Sequence, residues 1–347
     1  MKPIKAVELL IEKIKRDYSN DISLLVIMGS TIYNDTHERS DIDMFFVPKT
    51  ERGFNLEFTF IIDEIGYDFW AISWERLERI ASHGERIISI ITDGKVLYCA
   101  SNKDMERWNL LKTKALDISD KLRFIDMASE QLDSACVDMM ELTNAKSLSE
   151  ARYQAIGIIY KLGQTISLLN GVPIKRGRGK LKAEILAMPV VPEHFEELYD
   201  TAFFCSDKDK IILSFAVLME NTRKLVESER HKHTPLRSFK DKWSNLYEEL
   251  INAYNKVVHA CEINDPVTIL FAVVELTYEI EQTTKHTGVT LDSLPDLIEA
   301  YDPNNLTKIY KLAKVHQEAL ENLLDRQDVS VRRFCDFNEL EKYLEGI

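Results

Sequence analysis

Two aspartates one residue apart, Asp41 and Asp43, stand in a stretch that alternates cleanly: Asp41-Ile42-Asp43-Met44-Phe45-Phe46-Val47. On a strand, that period puts Asp41, Asp43, Phe45 and Val47 on one face and Ile42, Met44 and Phe46 on the other. Two desolvated carboxylates side by side are mutually costly unless a cation neutralises them, and hard oxygen ligands suit Mg²⁺. Carboxylates that bridge two ions roughly 3.5–4 Å apart let those ions clamp the attacking and leaving oxygens of an in-line displacement. A bare Asp-x-Asp is equally the pattern of a solvated strand end. Gly29-Ser30 shifts the balance, because it directly follows the apolar run 22–28 and precedes Asp41 by a short polar connection. Glycine lets backbone approach a phosphate, Ser30 offers a hydroxyl, and the next residues can open a helix whose N-terminal N–H groups favour anions.

The elements that must position these residues are legible in outline. Pro3 suits the opening turn of a helix with apolar positions at Ile4, Val7, Leu10, Ile11 and Ile14. The run 22–28 reads as a buried strand, 41–47 as a second, and 54–62 and 65–72 as two more. After the turn signal Asp93-Gly94, 95–99 reads as an edge strand. Beyond residue 102 nearly everything has helical periodicity. Ser147-Leu148-Ser149-Glu150 is a capping box, followed by Ala151, Ala155, Ile158, Leu162, Ile166 and Leu169 on one stripe and closed by Asn170-Gly171. Trp243, Leu246, Leu250, Tyr254, Val257 and Cys261 repeat that spacing, as do Leu306, Ile309, Ala313, Leu320 and Leu323. The polar, basic stretch 229–242 reads as a hinge. The expectation is an α+β chain: a small mixed sheet with flanking helices over 1–101, a helical bundle over 102–232, and a C-terminal helical region over 233–347.

Val26-Ile27-Met28-Gly29-Ser30 and Ser40-Asp41-Ile42-Asp43-Met44-Phe45-Phe46-Val47 together resemble the nucleotidyltransferases of the DNA polymerase β superfamily, whose pattern is an apolar strand, Gly-Ser, and Asp-x-Asp in a second strand. Within it the chain looks most like the aminoglycoside nucleotidyltransferases of the kanamycin type, in motif over its first hundred or so residues and beyond them only in architecture. The resemblance implies an enzyme in which Asp41 and Asp43 hold Mg²⁺, two ions in all, and the triphosphate of ATP or another nucleoside triphosphate. It also implies a third carboxylate on a later strand. Asp68, in Gly66-Tyr67-Asp68-Phe69-Trp70-Ala71-Ile72, occupies the matching position, where it would hold the second metal and take the acceptor hydroxyl proton. Asp63 and Glu64 lie close by, and a one-residue slip of register exchanges their roles.

The chain departs from the family in lacking an Arg soon after Gly29-Ser30; Thr31-Ile32-Tyr33-Asn34-Asp35 follows, and the next Arg is Arg39. The densest basic segment is Lys175-Arg176-Gly177-Arg178-Gly179-Lys180-Leu181-Lys182, from which Lys175, Arg176, Arg178 and Lys180 are candidates to close over phosphates. A solvated loop between helices is the competing reading. It is no Walker loop, since Leu181 stands where Ser or Thr is required. His231, His233 and Glu229 lack metal-ligand spacing, Trp70 and Trp74 read as core, and Glu141 or Glu150 is a candidate carboxylate from the bundle.

Composition bounds the rest. With 44 basic and 57 acidic residues the formal charge is −13, which excludes a general nucleic-acid-coating surface. Five dispersed cysteines without a CxxC pair fit a reducing cytoplasm, and no apolar run approaches the ~20 residues of a membrane span. The leading expectation is a cytoplasmic transferase moving AMP from ATP to a small hydroxylated acceptor, aminoglycoside-like in the family's manner. The alternatives are a protein-modifying nucleotidyltransferase of toxin–antitoxin type and a non-catalytic nucleotide-binding module. The oligomeric state stays open.

Overall fold

The computed structural model describes residues 2–347, with side chains from Lys5 onward, so the expected apolar role of Ile4 lies outside the described residues. The first elements in chain order are α1 (Lys2–Asp17), β1 (Ile22–Ile27), β2 (Met44–Pro48), β3 (Phe58–Ile62), β4 (Ile65–Ala71), α2 (Trp74–Ala81), α3 (Ser89–Thr92), β5 (Lys95–Cys99) and α4 (Asn102–Leu116). The strands form one mixed sheet in the order β3-β4-β2-β1-β5. β1 runs antiparallel to β2 and β5, β3 antiparallel to β4, and β2 parallel to β4. Both faces of β1 are covered, which is why its sequence is continuously apolar rather than alternating. Leu24 and Val26 pack with Phe45 and Val47 against α2, α3 and α4, whereas Ile22 and Leu25 pack with Met44 and Phe46 against Val7, Leu10 and Ile14 of α1.

The helices that follow are α5 (Lys121–Thr143), α6 (Leu148–Asn170), α7 (Leu181–Leu186), α8 (Phe195–Phe204) and α9 (Lys208–His233). The limits of α6 follow from its caps. The Ser147 hydroxyl accepts the Glu150 N–H, the Glu150 carboxylate accepts the Lys146 N–H at 2.7 Å, and Gly171 closes the helix in the left-handed region at φ 63°. Glu150 is thereby committed to the cap. Ile158, Leu162 and Ile166 are fully buried in the bundle core, each contributing roughly 1.5–3 kcal/mol.

The chain separates into two compact units, Met1–His233 and Thr234–Ile347. The second contains α10 (Phe239–Trp243), α11 (Tyr247–Glu262), α12 (Pro266–Thr284), α13 (Leu306–Arg326) and α14 (Phe337–Glu345). Two boundaries differ from the sequence expectation. The connection begins at Thr234 rather than at Glu229, because Glu229 stays buried in α9 with Lys232 at 2.6 Å, one turn on. The 243–261 stripe is also broken, with Asn245 left-handed at φ 63° between α10 and α11, although Trp243, Leu250, Tyr254 and Val257 remain buried together. In that core the Tyr254 hydroxyl lies 2.7 Å from His316 Nδ1, and burial pushes the imidazole down to about 4. Among the described residues no helix is long and apolar enough to cross a membrane.

Candidate active site

The turn after β1 is shaped by one glycine. Gly29 adopts φ +70°, and a Cβ placed on it would lie 1.9 Å from Asp43 Oδ2 and 2.8 Å from Asp43 Cβ. Only a residue without a side chain both tolerates that backbone and leaves room for the carboxylate. The Met28 N–H donates to the Asp43 carbonyl at 2.9 Å, extending the β1–β2 ladder one step and fixing Asp43 beside the turn. The expected helix after Gly29 is instead a five-residue 3₁₀ turn, Gly29–Tyr33, ended by Asn34 at φ 54°. The polar run after it has no apolar repeat with which to bury a longer helix.

β2 begins at Met44, not at Asp41, because its partner leaves the sheet at Gly29; Asp41 and Asp43 lie on the approach to the strand. The expected alternation survives there, with Ile42 buried on the α1 side and both aspartates half-buried. Burial, and then the charge of Asp41, raise the Asp43 carboxyl above the usual aspartate range; Arg178, the Ser30 amide and Arg176 pull it back.

Asp68 is one strand away. Parallel pairing of Met44 with Phe69 and of Phe45 with Trp70 puts Asp68 beside Asp43, on the face shared with Phe45 and Trp70, whose ring centroids are 6.3 Å apart. It does not line the cavity that contains Asp41 and Asp43, whereas Glu64, from the β3–β4 turn, does. Among the described residues no three His, Cys, Asp or Glu side chains gather closely enough to hold a metal ion. The structure therefore brings Asp41 and Asp43 together and leaves Asp68 apart from them.

The basic segment reaches the same cavity, of about 920 Å³, which Gly29, Ser30, Asp41 and Asp43 line from one side and Lys175, Arg176, Arg178 and Lys180 from the other. Its position is set by partners far away in sequence. The Glu184 carboxylate accepts the N–H groups of Lys175 and Arg176 at 2.7 and 2.8 Å. Arg176 pairs with Asp35 at 2.9 Å and lies over the Tyr33 ring, while Lys175 pairs with Asp93 at 3.4 Å. Tyr33 donates to Asp93 at 2.6 Å, and burial with that carboxylate raises its phenol. Sequence patterns assign no site role to Tyr33, Asp35, Asp93 or Glu184, nor do they place His37 and Arg39 in the cavity wall. No local spacing signals such pairings.

The donor chemistry fits a hard divalent cation. Mg²⁺ commonly takes one or two protein carboxylates and completes its shell with water and substrate phosphates, so the Asp41–Asp43 pair suits one ion without a third carboxylate. Anionic and cationic walls across one cavity can together hold a ligand made of phosphates and a counter-ion.

No family model matches the sequence, and no curated protein matches it. Among solved structures the chain is similar to a nucleotidyltransferase-like protein from Exiguobacterium sibiricum 255-15, at 10% identity and a TM-score of 0.39, over 95% of each chain. At that score the likeness bears on neither the site residues nor the reaction.

Proposed function

We propose that this chain transfers a nucleoside monophosphate, AMP from ATP being the expected case, to a hydroxyl of a small acceptor. The observation that carries this reading is the Asp43 carboxylate seated against Gly29 in a cavity whose facing wall contains Arg176 and Arg178. In the reaction the acceptor oxygen bonds to the α-phosphorus, the bond from that phosphorus to the bridging oxygen breaks, and pyrophosphate departs with the electron pair. Asp41 and Asp43 hold the Mg²⁺-bound triphosphate; the bound ion supplies neutralisation of these carboxylates and of the phosphate oxygens. Gly29 and Ser30 bring main-chain N–H groups to the phosphates. Lys175, Arg176, Arg178 and Lys180 steady them from the other side, in the place of the Arg missing after Gly29-Ser30. Asp68 takes the acceptor proton, a role supported by its register beside Asp43.

Titration calorimetry with a non-hydrolysable ATP analogue tests the binding half of this reading. Wild type should bind in Mg²⁺, and Asp43→Asn should lose at least ~100-fold in affinity, since even groups one shell out from a metal are worth roughly 10–100-fold. Equal affinity for the two proteins contradicts it.

A further inference from the structure

A second cavity, of about 430 Å³, adjoins the first, and Arg178 and Gly179 line both. Its walls are of a different kind. Ile156, Ile159 and Tyr160 of α6 form one side and Tyr199, Phe203 and Phe204 of α8 the other. The Arg86 guanidinium lies 4.6 Å from the Tyr160 ring centroid, and the Tyr199 and Phe203 rings are 5.0 Å apart, so the aromatic wall is assembled before any ligand arrives. The wall carboxylate is already engaged, with Asp200 held by Lys182 at 2.9 Å. Gly179 keeps the passage open, for a Cβ there would meet nothing within 4 Å.

The geometry points to this cavity as the subsite for the body of the acceptor, and to an acceptor with a flat, hydroxylated aromatic ring system rather than a polycation. This rests on the transferase reading. A polycationic acceptor needs unpaired carboxylates, whereas this wall presents a neutralised Asp200 and the cations Arg178 and Lys182 beside aromatic faces. Aromatic side chains receive flat rings by offset or edge contact. At about 430 Å³ the space lies in the range of small-molecule sites, and the 920 Å³ cavity beside it is roomy enough for the triphosphate and its nucleoside. A ring held here carries its hydroxyl toward the Arg178–Gly179 passage, from which the α-phosphate is approached.

The test uses 7-hydroxycoumarin, a flat fluorescent ring with one hydroxyl, read by fluorescence polarisation against the full chain. Phe203 and Phe204 are 42% and 81% exposed, so the double variant Phe203→Ala, Phe204→Ala removes two ring faces without emptying the core. Saturable binding to wild type, weakened about tenfold in the double variant with unchanged affinity for Mg²⁺ and a non-hydrolysable ATP analogue, is expected. Equal binding to both proteins overturns the proposal, and so does displacement of the probe by the nucleotide, which makes the cavity a base site. Asp43→Asn should bind the probe like wild type, so failure of the transferase reading and failure of the ring subsite show up in separate measurements.

Discussion

Asp43 Oδ2 occupies the space in which a side chain on Gly29 would stand, only 1.9 Å from the position of that missing Cβ. The site geometry therefore depends on the absence of one methyl group. Gly29→Ala should fold but lose roughly 1–2 kcal/mol to the left-handed backbone, and further stability to the displaced carboxylate. Transfer should fall at least ~100-fold. Gly66→Ala is the control for stability, because a Cβ there meets nothing within 4 Å. Urea unfolding of the two variants with wild type measures the difference, and a stable, active Gly29→Ala protein would refute the dependence.

Asp43 gives a pH signature in the absence of metal. Its carboxyl is raised by burial and then by Asp41, so its folded-state pKa exceeds its unfolded value. Its contribution to stability is fully present below the ordinary aspartate range and is lost as pH rises through the raised value. An amide at this position cannot ionise. Asp43→Asn should thus match wild type in acid and become progressively more stable than it toward neutral pH. Thermal melts in EDTA from pH 4 to 7.5 read this, and a melting difference that does not vary with pH contradicts the burial of that charge.

The cations of 175–180 are tied to Asp35 and Asp93 yet line the cavity. Replacing Arg176, Arg178 and Lys180 together with Gln should weaken Mg²⁺-triphosphate affinity about tenfold at low salt. The loss should shrink as added salt screens charges over ~8–10 Å. Calorimetry at two ionic strengths checks both parts. Unchanged affinity at low salt would leave the segment as a solvated loop.

His316 makes the second unit acid-sensitive. Burial lowers its pKa to about 4, so the stability of its neutral form is present above the ordinary histidine value and is lost as pH falls toward that number. On the order of 3 kcal/mol is at stake over that window. His316→Gln does not titrate and should flatten this part of the pH dependence in denaturant unfolding between pH 4 and 7. An identical slope for both proteins would contradict the burial argument.

Local rules make some features legible in the amino-acid sequence alone. Ser147, Glu150 and Gly171 bound α6 because capping is decided within a few residues, and the continuous apolar run of β1 reflects helices on both faces of the sheet. The alternating pattern that carries Asp41 and Asp43 begins three residues ahead of the strand itself, since the strand's start depends on where β1 departs, which is a tertiary fact. Asn245 gives a weak signal as a residue tolerant of the left-handed region, but the apolar stripe runs on past it and masks the break. The basic segment stands out by charge alone. What fixes it in place, Glu184 locally and Asp35, Tyr33 and Asp93 at long range, depends on chain packing that no spacing reveals.

The central claim is attack on the α-phosphorus, and the fate of a labelled phosphate tests it most directly. Wild type is incubated with Mg²⁺, ATP labelled at either the α or the γ position, and a panel of hydroxylated acceptors. The account predicts that α-label appears on an acceptor with one pyrophosphate released per transfer, that γ-label leaves only in pyrophosphate, and that Asp43→Asn does neither. Asp68→Asn should slow turnover by roughly 10²–10⁴-fold, the usual worth of a positioned proton acceptor, while Glu64→Gln keeps most of it. Appearance of γ-label on the acceptor, or α-label transfer that survives Asp43→Asn undiminished, would contradict the account.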